Sequence, residues 1–151
     1  MLTTLQRQAT PLLRYRTRDL SHLVGGHCPC GRVHRRLARL QGRSDDLLII
    51  NGVNVFPSQI ESALMKISGV GTNYLIQLEK RGSLDRLLVR TEVEAALFAG
   101  PPHTLDELRE RISELLRATI LVKPVVELHP PGDLPISEGK AKRVLDLRPA
   151  F

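Results

Sequence analysis

Tryptophan is absent from this 151-residue chain, and aromatic residues make up only 3% of it. The core must therefore be aliphatic, drawn from the Leu, Val and Ile within the 42% of residues that are hydrophobic. No run approaches the roughly 20 apolar residues of a membrane-spanning helix. The N-terminus lacks the basic-then-apolar pattern of a secretory signal. The only cysteines, Cys28 and Cys30, are too few and too close for a disulfide framework, so a reducing, cytoplasmic setting is expected. Internal repeats and low-complexity tracts are also missing. What remains is the profile of a globular chain long enough for one real core.

Acidic residues are scarce at one end. The net charge of +6 comes from residues 1–44, which carry nine Lys/Arg against a single acid, whereas the rest carries thirteen against fifteen. A basic arm on a near-neutral body suits nucleic acid, or a cleft for phosphate-rich small molecules. No regular basic helix and no interleaved aromatics accompany it, which argues against nucleic acid.

The stretch GRSDDLLIINGVNVFPSQIE, residues 42–61, organises the chain. Its apolar runs flank Asn51-Gly52, a pair that accepts the positive φ of a tight turn, so a hairpin is expected. Pro57 and Ser58, with Glu61 three residues on, predict a proline-led, boxed helix start. Ile60, Ala63, Leu64 and Ile67 then fall on one face of a helix over residues 58–67, which Gly69 ends. Residues 74–78 and 87–93 read as an antiparallel pair around the Arg81-Gly82-Ser83 turn. After Pro101-Pro102, Thr104 and Glu107 predict a second boxed helix, with Leu105, Leu108, Ile112, Leu115 and Leu116 as its buried stripe. A further strand is expected over residues 121–128, interrupted near Pro124, and residues 2–5 and 12–15 read as strands lacking most of their sheet. The class is α+β: a small mixed or antiparallel sheet with two main helices, preceded by a short strand-rich segment.

HCPCGRVH at residues 27–34 offers thiolates and imidazoles, the ligand types of zinc. Cys-x-Cys is tighter than the usual Cys-x2-4-Cys, so a structural loop is the preferred reading. No metal is expected, and any that bound would use Cys28, Cys30 and His34.

Three segments, in order, resemble the phenylacetate–CoA ligase family of acyl-adenylate-forming enzymes. RYRTRD at residues 14–19 resembles its ribose-binding motif, residues 42–61 its hinge segment, and LPISEGKAKRV at residues 134–144 its catalytic-lysine loop. The resemblance implies that residues 1–44 are the tail of a large N-terminal adenylating domain, and residues 45–151 the hinge and mobile C-terminal ligase domain. The rest of the N-terminal domain, with the acid pocket and most of the ATP site, would lie upstream, leaving this chain inactive alone. Implied substrates are an aryl carboxylic acid, ATP and CoA, with Mg2+ in the complete enzyme, in aromatic acid catabolism. A stand-alone, non-catalytic CoA-binding or regulatory domain is the alternative, and an exposed half-sheet would invite self-association.

By the same resemblance, the Asp19 carboxylate would accept from both ribose hydroxyls, Arg43 would reach ribose or phosphates, Asp45 would be the hinge, and Gly52 would pass the CoA pantetheine arm. Lys140 would bridge the substrate carboxylate and the α-phosphate, with Lys142 its nearest competitor. Plainer readings stand beside these: turn or cap aspartates, a hairpin glycine and a surface lysine. Arg18 stands where many related ligases have Gly, which favours the phenylacetate type. Asn51 replaces an expected Arg, and Ile136 an expected basic residue, which weakens phosphate contacts at both.

Overall fold

The computed structural model describes residues 1–135 and 143–149. The chain divides into two compact units, Met1–Leu47 and Leu48–Phe151.

In the first unit, β1 (Asp19–Leu20), β2 (Leu23–Val24), β3 (Arg36–Leu37) and β4 (Gly42–Arg43) are each two residues long. They form two antiparallel pairs, β1 with β4 and β2 with β3. No residue from 1 to 47 is buried. The expected strands over residues 2–5 and 12–15 reduce to one antiparallel bridge between Leu2 and Tyr15. Arg14, at φ 49°, turns the backbone out of the extended conformation there.

The second unit begins with the expected hairpin, β5 (Leu48–Ile50) and β6 (Val53–Val55). Asn51 at φ 49° and Gly52 at φ 82° supply the left-handed pair that a two-residue connection requires. Helix α1 (Pro57–Leu64) follows. Pro57 takes the first turn as expected, but Gln59 closes the cap in place of Glu61: its Oε1 accepts the Phe56 amide at 2.9 Å. Phe56, one residue before Pro57, is the N-cap, so the third helical position is residue 59. Ile60, Ala63 and Leu64 are buried on α1 as their spacing predicts, but the helix stops at Leu64, short of the expected residue 67, and Ile67 is buried from the turn that follows.

A four-stranded mixed sheet forms the body, in the order β10-β7-β8-β9. Strands β7 (Val70–Arg81) and β8 (Leu84–Val93) are the antiparallel centre, longer than the apolar runs alone suggest. Between them and the next edge strand come the short α2 (Ala95–Phe98) and the long α3 (Pro102–Ile120). The short α2 is an addition to the expected elements, and α3 starts earlier than Thr104 suggests. Pro101 is the N-cap, so Thr104 lies inside the first turn and caps nothing. Leu108, Ile112 and Leu116 are buried, with Leu105 and Leu115 packed against the core.

Leu121 takes φ 60° as the helix C-cap, its amide donating to Arg117 O at 2.9 Å. That left-handed cap prevents a strand from starting there, so β9 (Val125–His129) begins only after Pro124. It runs parallel to β8. The last strand, β10 (Val144–Asp146), adds to the other edge, parallel to β7. One aliphatic core joins α1, α3 and the sheet, with Tyr74 its only buried aromatic among the described residues. Each buried Leu or Ile contributes roughly 1.5–3 kcal/mol of transfer free energy. The whole is an α+β fold, as expected.

Candidate functional site

Antiparallel pairing of β1 with β4 sets Asp19 directly opposite Arg43. The two residues are 24 apart in sequence but face each other across one rung of the ladder, and Ser44 N–H extends it to Arg18 O at 2.7 Å. The Asp19 side chain is exposed, and among the described residues none pairs with its carboxylate. Both oxygens can accept hydrogen bonds.

Arg43 is partly committed. Its Nε donates to Asp45 Oδ1 at 2.9 Å and its Nη2 to Asp45 Oδ2 at 2.8 Å, a two-point fork. Arg18 Nη1 reaches the same Oδ2 at 3.3 Å. The hydrogen bond from Arg43 holds the Asp45 carboxyl well below the usual range, and Asp45 in turn raises the Arg43 guanidinium. Five N–H donors belong to a guanidinium, so Arg43 still offers its Nη1 and part of Nη2 to another acceptor. Arg16, Arg18, Ser44 and Asp45 line a shallow, open concavity of about 200 Å³. Its cationic rim suits anionic oxygens.

The Gly52 turn belongs to the second unit. A Cβ placed on Gly52 would meet nothing within 4 Å, so the left-handed backbone, not crowding, demands glycine here. Asn51 is wired to the sheet: its Nδ2 donates to Asp85 O at 2.8 Å, and its Oδ1 accepts the Asp85 amide at 2.8 Å.

Lys140, Lys142 and Ile136 lie outside the described residues. The chain on either side is tightly held. On the N-terminal side, Glu92 Oε1 accepts from the Leu134 amide at 3.0 Å and from Asn73 Nδ2 at 2.9 Å. Asn73 Nδ2 also donates to Leu134 O at 3.2 Å. Burial pushes the Glu92 carboxyl up, but the Gly132 amide, Asn73 and the Leu134 amide outweigh it and hold the group below its ordinary value. On the C-terminal side, Arg143 Nη1 donates to Glu61 Oε1 at 2.6 Å, and its guanidinium carbon sits 4.5 Å from the Tyr74 ring centroid. Arg143 O accepts the Ile76 amide at 2.8 Å. None of these partners was read from the sequence. They join residues 19 to 82 positions apart, and no local spacing signals them.

Cys28 and Cys30 sit in an exposed loop, their sulfurs 2.9 Å apart. The hydrogen bond from Cys28 lowers the Cys30 thiol below its ordinary value. Among the described residues, no three His, Cys, Asp or Glu side chains gather closely enough to hold a metal ion. No helix of the described chain is long and apolar enough to cross a membrane.

Residues 52–148 match a family described as AMP-binding enzyme C-terminal domain. The chain is 42% identical to a phenylacetate–coenzyme A ligase of Thermus thermophilus over 98% of its own length and 36% of the relative's. It thus spans about a third of the length of such curated relatives, since the Escherichia coli enzyme of that name, 38% identical, is covered over 33%. Among solved structures, a domain of phenylacetate–coenzyme A ligase from Bacteroides vulgatus is 42% identical, with a TM-score of 0.64 over 71% of this chain and 97% of that one. A 2-hydroxyisobutyryl-CoA ligase in its postadenylation state, with R3-HIB-AMP bound, is 33% identical, with a TM-score of 0.83 over 95% of this chain and 31% of that one. The same ligase with 2-HIB-AMP and CoA, in its thioesterification state, matches at a TM-score of 0.65 over 97% of this chain and 31% of that one.

Proposed function

The chain belongs to the AMP-binding enzyme C-terminal domain family, and from that membership we propose that it forms the hinge and C-terminal domain of an ATP-dependent, AMP-forming aryl-acid–CoA ligase. Residues 1–44 supply the tail of the adenylating domain and residues 45–151 the moving part. The reaction runs in two steps. The acid's carboxylate attacks the α-phosphate of ATP, giving acyl-AMP and pyrophosphate. The CoA thiol then attacks the acyl carbon, giving acyl-CoA and AMP. AMP is a leaving group where hydroxide is not, so the split activates a poor electrophile.

The observation that carries this reading is the placement of Asp19 opposite Arg43, whose charge it feels, with no hydrogen bond or ion pair to the Asp19 carboxylate among the described residues. Asp19 accepts the two ribose hydroxyls, and Arg43 turns its remaining donors to ribose or phosphate. Lys140 neutralises charge between the acid and the α-phosphate in the first step. Rotation about Asp45 then withdraws Lys140 and brings the Gly52 turn to the CoA arm. Mg2+ would accompany the ATP phosphates and supply charge neutralisation there.

On this reading the chain alone should show no ATP–pyrophosphate exchange with phenylacetate, because the acid pocket would belong to the N-terminal domain. Joined to the N-terminal two thirds of the Thermus thermophilus ligase, it supports exchange, and Asp19→Ala weakens ATP binding in that fusion. Exchange by the isolated chain, or an Asp19→Ala fusion with unaltered ATP dependence, contradicts the reading. CoA binding with no exchange in the fusion selects the non-catalytic alternative.

A further inference from the structure

The edge of β8 is covered along most of its length by β9, but that pairing begins only at Leu88 opposite Val125. Asp85 lies beyond it, with backbone groups that no strand takes up on that side. The Asn51 carboxamide fills the place: it donates to Asp85 O and accepts from Asp85 N, both at 2.8 Å, as a neighbouring peptide would. Asp85 answers with its side chain. Its Oδ2 accepts the Asn51 amide at 3.2 Å and Arg148 Nη1 at 3.0 Å, and its Oδ1 sits 2.9 Å from Lys80 Nζ. Arg148 Nη1 also donates to Ile49 O at 2.7 Å, while its other edge forks onto Asp146 at 2.9 and 2.6 Å. The Asp85 side chain is only 9% exposed, whereas Asn51 itself faces solvent.

We propose that Asn51, Asp85 and Arg148 form a clasp that fixes the Gly52 turn to the sheet, and that Asn51 is a positioning residue for the CoA arm. This rests on the proposed reading of Gly52. Ile50 and Val55 bury one face of the hairpin in the core, but its strands are only three residues each, and the clasp adds the polar bonds that hold the turn itself. An arginine at position 51 offers five donors and no acceptor, so it cannot receive the Asp85 amide. The two roles of position 51 therefore exclude each other: a cation reaching for phosphate, or a carboxamide docking the turn. This chain has taken the second.

Two substitutions separate the possibilities in the full 151-residue chain. Asn51→Gly keeps the left-handed turn and removes both side-chain bonds, and Asn51→Arg restores the cation without the acceptor. The readouts are amide hydrogen exchange at Asp85 and the shift of the Gly52 amide as CoA is titrated. In both variants the Asp85 amide exchanges about tenfold faster, the loss of its one hydrogen bond to Asn51 Oδ1, while Ile76 and Val89 keep their protection. Both variants also bind CoA more weakly. Unchanged exchange at Asp85 overturns the clasp. Faster exchange with undiminished CoA affinity, or tighter CoA binding by Asn51→Arg, overturns the positioning role. A wild-type Gly52 amide that CoA leaves unmoved refutes the CoA reading of the turn, and with it the positioning role, while the exchange result still decides the clasp.

Discussion

Arg43 and Asp45 are bound to one another by a two-point fork, with both N···O distances under 3 Å. The residue proposed for the nucleotide and the residue proposed for the hinge therefore share one ion pair. Arg18 completes a carboxylate flanked by two guanidiniums. Rotation at the Asp45 φ would pull its carboxylate against this fork, while a phosphate can still use the Arg43 donors that the fork leaves free.

The fork has a direct spectroscopic consequence. A carboxylate held by Arg43 binds its proton less readily than a free one, so Asp45 stays ionised well below the ordinary aspartate value of 3.8. Carboxyl carbon NMR across an acid titration should show Asp45 still charged where unpaired aspartates are protonated. In Arg43→Gln its midpoint should climb back toward 3.8. Because the pair is exposed, thermal stability should barely change.

Glu92 should matter more to stability than its position on a strand suggests. Truncation by Glu92→Ala strips the Leu134 amide and Asn73 Nδ2 of a charged acceptor, which costs roughly 2 kcal/mol by denaturant unfolding. The pH dependence has a fixed sign. The folded carboxyl lies below its ordinary value of 4.5, so its contribution is complete above that pH and is lost as pH falls below it. Glu92→Gln should therefore unfold with a shallower pH dependence than the wild type in acid.

The core prediction is conventional in size. Ile112 and Leu116 are fully buried between α1, α3 and the sheet. Either residue changed to alanine should cost about 2–5 kcal/mol, read as a lowered denaturation midpoint at constant slope.

Gly52→Ala should destabilise the chain by about 1 kcal/mol, through the left-handed backbone alone, since open space surrounds the missing Cβ. If the turn passes the CoA arm, the added methyl should also weaken CoA binding by more than that strain explains. Calorimetric titration of CoA against the variant and the wild type measures the difference.

The sequence disclosed what its local chemistry controls. Asn51-Gly52 announced a turn because few pairs accept two positive φ values, and Ile60, Ala63 and Leu64 announced a buried helix face by their spacing, although the helix ends before Ile67. Caps were less legible. Ser58 and Thr104 have capping chemistry two and three residues past the actual N-caps, Phe56 and Pro101, and the prolines set those starts. The strand pairings of β9 and β10 depend on which edge of the sheet is free, and no single stretch encodes that. At the proposed site, Asp19 and Arg43 were singled out by resemblance alone, and their juxtaposition was not foreseen, because it arises from a two-residue ladder. The partners Asp85, Glu92 and Arg143 were invisible for the same reason: each acts on a residue far away in the chain.

The two-step account stands or falls on Lys140 serving one step only. In the fusion with the N-terminal two thirds of the Thermus thermophilus ligase, Lys140→Ala should lower ATP–pyrophosphate exchange by about two to three orders of magnitude, the scale for losing one group that stabilises transition-state charge. Supplied with phenylacetyl adenylate ready made, the same variant should form thioester with CoA at close to the unmodified rate. Equal loss in both assays, or no loss in exchange, would contradict the account.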